Sequence, residues 1–169
     1  MLGIFSSQGQ HHLRKGSEAE QAVAKEYGLT LLPFQESRTS QIDGVIVNAE
    51  AQVIGLYETK SRTGNLEYRG QDPVFVFRGK DYDSMLITKD KIDSMMAMSK
   101  ALKVSAYLIC TYSNDQIGVF KVTNPSGTMA LEGVETKKVK TRATVVGGKA
   151  ERENYFIPLT NGFYFTKEK

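Results

Sequence analysis

The chain is 169 residues long, 40% hydrophobic and 24% charged, with a formal net charge of +3, a balance typical of globular proteins large enough to bury a core. No apolar stretch approaches the roughly 20 residues of a transmembrane helix, and the single cysteine excludes an internal disulfide or a cysteine-rich metal centre made by this chain alone. The mild positive charge leans toward polyanionic partners without deciding for them.

Residues 1–15 read as a flexible N-terminal arm. Its opening, "MLGIFSSQGQHHLRKG", places basic residues after a short apolar patch, the reverse of an export signal. A cytoplasmic protein with no membrane partner is therefore expected. His11 and His12 read as part of a solvated arm, so any metal site must use oxygen ligands. The spacing predicts a helix from Ser17 to about Gly28, with Ser17 as N-cap and Gly28 as stop.

Short strand-like runs follow at 29–34, 42–47 and 52–60, and the "NAEA" turn joins the last two into a hairpin. Residues 61–87 mix aromatic, β-branched and turn residues, consistent with a second hairpin or a long excursion. A helix over 88–103 carries Ile92, Met95, Met96, Ser99 and Leu102 on one stripe, which reads as core. Two strands, 105–113 and 116–123, flank an "ND" turn, and "NYFIPL" and "GFYFTK" look like late strands. A mixed sheet with helices packed on it satisfies this order.

The first hairpin collects charges at one end. With its turn centred on Ala49–Glu50, Val47 lies opposite Gln52 and Asp43 opposite Leu56. Asp43 then shares a face with Ile54, Leu56, Glu58 and Lys60. Glu58 and Lys60 are about 7 Å apart, two strand rises, and Asp43 is a diagonal neighbour of Glu58. The register assumes a loop with an even number of residues, and one bulge would turn Asp43 to the other face. Apolar residues on both sides of the hairpin, Val45, Val47, Ile54 and Leu56 against Ile46, Val53 and Tyr57, predict a sheet covered on both faces. Two carboxylates brought together repel unless a cation lies between them. Mg²⁺ suits such a site, held by one or two carboxylates and retained waters, and a nearby lysine can orient or deprotonate one of those waters.

Asp43 on one strand and Glu58-Thr59-Lys60 on the next, after a Glu-bearing helix and before a helix and strand, resemble the PD-(D/E)XK nuclease superfamily over residues 15–123. The resemblance implies an α/β fold, a mixed central β-sheet flanked by helices, with a restriction-endonuclease-like αβββαβ core and extra C-terminal strands. It implies a single domain over 16–169, with the core at about 16–123 and a β-rich extension at 124–169. Asp43 and Glu58 would bind Mg²⁺ (Mn²⁺ substituting), the Thr59 carbonyl would be a third ligand, and Lys60 would position the nucleophile. Glu20, on the preceding helix, matches a carboxylate that often joins such sites. Ile42 stands where the superfamily name has proline, which weakens the motif. The bland alternatives are an exposed Glu58–Lys60 ion pair, worth little, and a Ser17-x-x-Glu20 capping box.

Nucleic acid needs cations for phosphates and aromatic rings for unpaired bases. Arg62, Arg69, Arg78 and Lys80 interleave with Tyr68, Phe75, Phe77 and Tyr82, and "KKVKTR" adds Lys137, Lys138, Lys140 and Arg142. The expected function is a metal-dependent DNA endonuclease, Holliday-junction-resolvase-like in its small size. The alternative is a non-cleaving nucleic-acid-binding module on the same fold. Small members of the superfamily commonly act as homodimers, which this sequence neither requires nor excludes. There is no Gln-x-x-x-Tyr motif after Glu58-x-Lys60 and no phosphate-binding G-x-x-x-x-G-K-[ST] loop, so neither RecB-like exonuclease action nor ATP use is expected.

Overall fold

A computed structural model describes residues 7–34, 42–142 and 149–168. In chain order the elements are α1 (Ser7–Tyr27), β1 (Thr30–Pro33), β2 (Gly44–Val47), β3 (Val53–Ser61), β4 (Asn65–Arg69), β5 (Asp72–Phe77) and β6 (Lys80–Tyr82). They continue with β7 (Ser84–Thr88), α2 (Lys89–Leu102), β8 (Ser105–Thr111), β9 (Gln116–Lys121), β10 (Glu135–Arg142), β11 (Lys149–Pro158) and β12 (Gly162–Thr166). The fold is mixed α/β and mostly strand.

The central sheet has the order β1-β2-β3-β8-β9-β12. Only β3 and β8 run parallel; every other neighbouring pair is antiparallel. A parallel pair needs a crossover, and the chain makes it through β4 to β7 and α2. Two smaller sheets, β4-β5-β6 and β10-β11-β7, complete the strands.

Both faces of the central sheet are covered. On one, Leu56, Leu108 and Cys110 pack with Ile92 and Met95 of α2. On the other, Tyr57, Ile46 and Ile109 pack with Ala19 and Val23 of α1. Alternation along β3 therefore sends Leu56, Glu58 and Lys60 toward α2, and Tyr57 and Thr59 toward α1. Ile92, Met95 and Ser99 of the predicted stripe are buried, Met96 packs at the margin, and Leu102 is exposed.

Helix α1 is longer than the predicted Ser17–Gly28 helix. It begins at Ser7, so Ser17 is interior and does not cap the helix; residues 1–6 lie outside the described residues. The sequence signal starts late because the added turns are polar and contain Gly9 and Gly16, poor helix formers, while the regular apolar spacing of the sequence begins at Ala19. The C-terminus is as expected. Gly28 takes φ +64° and Leu29 N–H bonds the Ala24 carbonyl at 3.0 Å, a left-handed helix stop.

The β2–β3 register also differs. Gly44 pairs with Tyr57, Val45 with Leu56, Ile46 with Gly55 and Val47 with Val53, with a bulge at that last step. Asp43 therefore does not lie opposite Leu56. The loop is one residue longer than assumed because Asn48 organises it: Asn48 Oδ1 accepts the N–H groups of Glu50 and Gln52, and Ala51 sits at φ +60°. The bulge adds a second residue of offset. Two offsets of one restore the original phase, so Asp43 still reaches the Glu58 end of the hairpin.

Candidate active site

The site forms where β2 enters and β3 leaves the sheet. Ile42 is fully buried in the α2-side core, and this anchor fixes the entry of Asp43. Asp43 N–H bonds the Tyr57 carbonyl at 3.0 Å and its carbonyl accepts Phe34 N–H at 2.7 Å. Its Oδ2 accepts the Thr59 N–H at 2.7 Å and the Thr59 hydroxyl at 2.8 Å. Asp43 is thus held at backbone and side chain, with both carboxylate bonds on one oxygen. Gly44 makes this close approach feasible: a Cβ there would lie 2.3 Å from the Leu32 carbonyl and 2.7 Å from Tyr57 Oη.

Glu58 is 4% exposed. Its Oε1 meets Lys60 Nζ at 3.3 Å and Lys91 Nζ at 3.0 Å. Its Oε2 is buried and receives no protein hydrogen bond, a costly state for a carboxylate oxygen. Burial first, then the nearby Asp43 charge, push the Glu58 carboxyl above its ordinary range, and the two lysines counter this only in part. The exposed-ion-pair reading fails here, because Glu58 is among the most buried charged groups described.

Glu20 lies on the other face. Burial pushes its carboxyl upward; interaction with the Tyr57 hydroxyl opposes this, and Asp43 adds to it. The Tyr57 hydroxyl is buried without a hydrogen bond of normal geometry, and burial and Glu20 drive it far above the ordinary phenol range. Asp43 therefore sits at the sheet rim, within electrostatic reach of Glu58 on the α2 side and Glu20 on the α1 side. Thr59 is fixed as a donor to Asp43, while Lys60, 34% exposed at its side chain, borders solvent.

Lys91 is the member that sequence reasoning missed. It lies in the first turn of α2 and meets Glu58 only because the crossover lays α2 on the Glu58 face of β3. No local spacing announces it.

The other predicted cations are scattered and mostly engaged. Arg62 Nη2 donates to the Leu86 carbonyl at 2.7 Å, tying β3 to β7. Arg69 makes a two-bond contact to Asp81 at 2.9 and 3.1 Å. Arg78 lies 5.0 Å over the Phe77 ring, in a two-residue turn where it and Gly79 both have positive φ, and Lys80 is exposed beside it. Lys137 pairs with Glu135 at 2.8 Å. Lys138 and Lys140 stand directly across from Glu153 and Glu151, and Arg142 lies at the end of the same strand.

Among the described residues no three histidine, cysteine, aspartate or glutamate side chains converge as a ready metal cluster. A two-carboxylate site with retained waters needs no third, and the unpartnered Glu58 Oε2 beside Asp43 fits a hard divalent cation. Compared with protein-family models, curated proteins and solved structures, the chain matches none.

Proposed function

We propose that this chain is a metal-dependent endonuclease that hydrolyses phosphodiester bonds in DNA, branched DNA included, on a restriction-endonuclease-like core of α1, β1–β3, α2 and β8. The observation that carries the reading is Glu58: a buried carboxylate with one oxygen unpartnered, charge-coupled to Asp43, and flanked by lysine. Burying such a group without full compensation is destabilising, and a bound Mg²⁺ would relieve that cost. The order of elements, with three antiparallel strands followed by a helix and a strand parallel to β3, supports the same reading.

Asp43, through the oxygen Thr59 does not use, and Glu58, through Oε2, would hold the metal, with Glu20 near enough to Asp43 to act on the same centre. When bound, the metal supplies a water of lowered pKa and neutralises phosphate charge. Thr59 holds the Asp43 carboxylate in orientation. Lys60, at the solvent border beside Glu58, orients the attacking water. The water oxygen forms the new bond to phosphorus, the bond from phosphorus to the leaving oxygen breaks, and protons exchange with solvent.

The test is cleavage of supercoiled plasmid and of a four-way junction with Mg²⁺, Mn²⁺ or EDTA. Cutting is expected with either metal, none in EDTA, and a loss of at least about 100-fold in Lys60→Ala and in Asp43→Asn. A parent protein that binds DNA but cuts neither substrate would replace this reading with a non-cleaving module on the same fold.

A further inference from the structure

The small sheet β4-β5-β6 sorts its side chains by chemistry. Residues paired directly across antiparallel strands share a face, so Leu66, Phe75 and Tyr82 lie on one face together with Tyr68, Phe77 and Lys80. The three carboxylates of these strands, Glu67, Asp72 and Asp81, all fall on the other face, where Arg69 holds Asp81. One face therefore carries aromatic rings and a cation with no acid. Its rings are ordered outward from the core. Buried Tyr112 lies 6.0 Å from Phe75. Phe75 is stacked with Phe77 at 6.2 Å, the planes 5° apart, and lies 6.3 Å from Tyr82. Leu66 anchors the inner end in the core, while Tyr82 is 43% exposed. The Arg78 guanidinium stands 5.0 Å over the Phe77 ring, adding a second flat surface that carries charge.

This shelf is fastened beside the candidate site. Gly64 N–H bonds the Ser113 hydroxyl at 3.0 Å, and the Asn114 side chain bonds the N–H and the carbonyl of Leu66 at 3.1 and 2.8 Å, tying β4 to the β8–β9 turn. Val76 pairs with Asn65, so Phe77 and the turn after it run past the start of β4, back toward Lys60. The chain from Lys60 to Gly64 spans at most about 14 Å, the reach of a few nucleotides. Bases offer their faces to such rings only when unpaired, because in a duplex they stack on one another. The acid-free face and the cations Arg78 and Lys80 at its rim suit phosphates. An apolar protein surface would bury both cations without a counter-charge.

Resting on the nuclease reading, we propose that Phe77, Tyr82, Arg78 and Lys80 bind an unpaired strand, which makes the substrate class DNA with a single-stranded segment beside the scissile phosphate. Tyr82→Leu keeps apolar bulk and removes the ring, and Tyr82→Phe keeps the ring. In EDTA, fluorescence anisotropy compares an oligothymidine with a blunt duplex of equal length. The parent should bind the single strand at least about tenfold tighter. Tyr82→Leu should lower the ratio of single-strand to duplex affinity about tenfold, and Tyr82→Phe should stay within about threefold of the parent. Should Tyr82→Leu not fold, Phe77→Leu takes its place with the same expectation. In Mg²⁺, the parent should cut a splayed duplex with unpaired arms at least about tenfold faster than the blunt duplex, an advantage that Tyr82→Leu should lose. A parent with no preference for the single strand, or a ratio that Tyr82→Leu leaves unmoved, overturns the inference; cutting of plasmid or four-way junction then keeps the nuclease reading standing. Single-strand binding through Tyr82 by a parent that cuts no DNA removes the nuclease reading and leaves the strand-binding face standing.

Discussion

Glu58 concentrates the electrostatic conflict of the molecule in one side chain. Burial and Asp43 raise its carboxyl, and Lys60 and Lys91 do not fully restore it. The folded protein therefore holds the Glu58 proton to a higher pH than the unfolded chain does. Between the ordinary value of 4.5 and the raised folded value, stability falls as pH rises; above that window the full penalty is present. Glu58→Gln should therefore stabilise the metal-free protein at pH 7–8, and the gain should vanish below the ordinary carboxyl value of 4.5. Thermal unfolding in EDTA across that range checks the sign. Destabilisation at pH 8 would mean that the two lysines outweigh burial. Added Mg²⁺ should raise the Tm of the parent and not of the variant. At this scale the sequence was readable wherever chemistry is local: Asp43, Glu58 and Lys60 stand out because a strand fixes their spacing. Lys91 does not, because only the packing of α2 against β3 brings it to Glu58.

The β1–β2–β3 meander converts those residues into a site, and it was legible in phase but not in register. Alternation and the short turn were enough to place the hairpin. The length of the Asn48 loop and the bulge at Val47–Val53 depend on side-chain-to-backbone bonds and strand twist, which spacing does not encode. Helix α1 shows the same division: the buried residues Ala19 and Val23 gave its apolar half, and its polar first turns left no periodic signal. The meander also has a narrow tolerance at Gly44. A methyl there would sit 2.3 Å from the Leu32 carbonyl, which belongs to the paired β1 backbone and cannot swing aside. Gly44→Ala should destabilise by about 2–3 kcal/mol, seen as a lower urea midpoint with an unchanged slope. Because Asp43 adjoins it, metal affinity should fall in the same variant even below the unfolding temperature. An unfolding free energy within about 0.5 kcal/mol of the parent would show that β1 shifts more freely than its pairing implies.

At the scale of the whole molecule, net charge says less about nucleic acid than where the charges go. The run "KKVKTR" is the densest positive stretch of the sequence, yet strand alternation divides it between two faces, and β11 sets Glu153 and Glu151 across from Lys138 and Lys140. A cation already offset by a cross-strand carboxylate releases few counterions when DNA arrives. Arg62 and Arg69 are likewise committed, to Leu86 and Asp81. Arg78 and Lys80, at the β5–β6 turn, are exposed and without an acidic partner among the described residues, and Tyr82 and Phe77 lie on the same small sheet. If DNA runs from the site across that turn, each of the two cations neutralises about one phosphate. The logarithm of duplex affinity against the logarithm of salt should then flatten by about 0.9 per residue removed. Arg78→Ala with Lys80→Ala should lower the slope by about 2, and Lys138→Ala with Lys140→Ala by less than about 0.5, in fluorescence anisotropy titrations with EDTA present to prevent cutting. The reverse ranking would move the DNA path to β10 and make the cross-strand glutamates a selectivity device rather than a neutralising one.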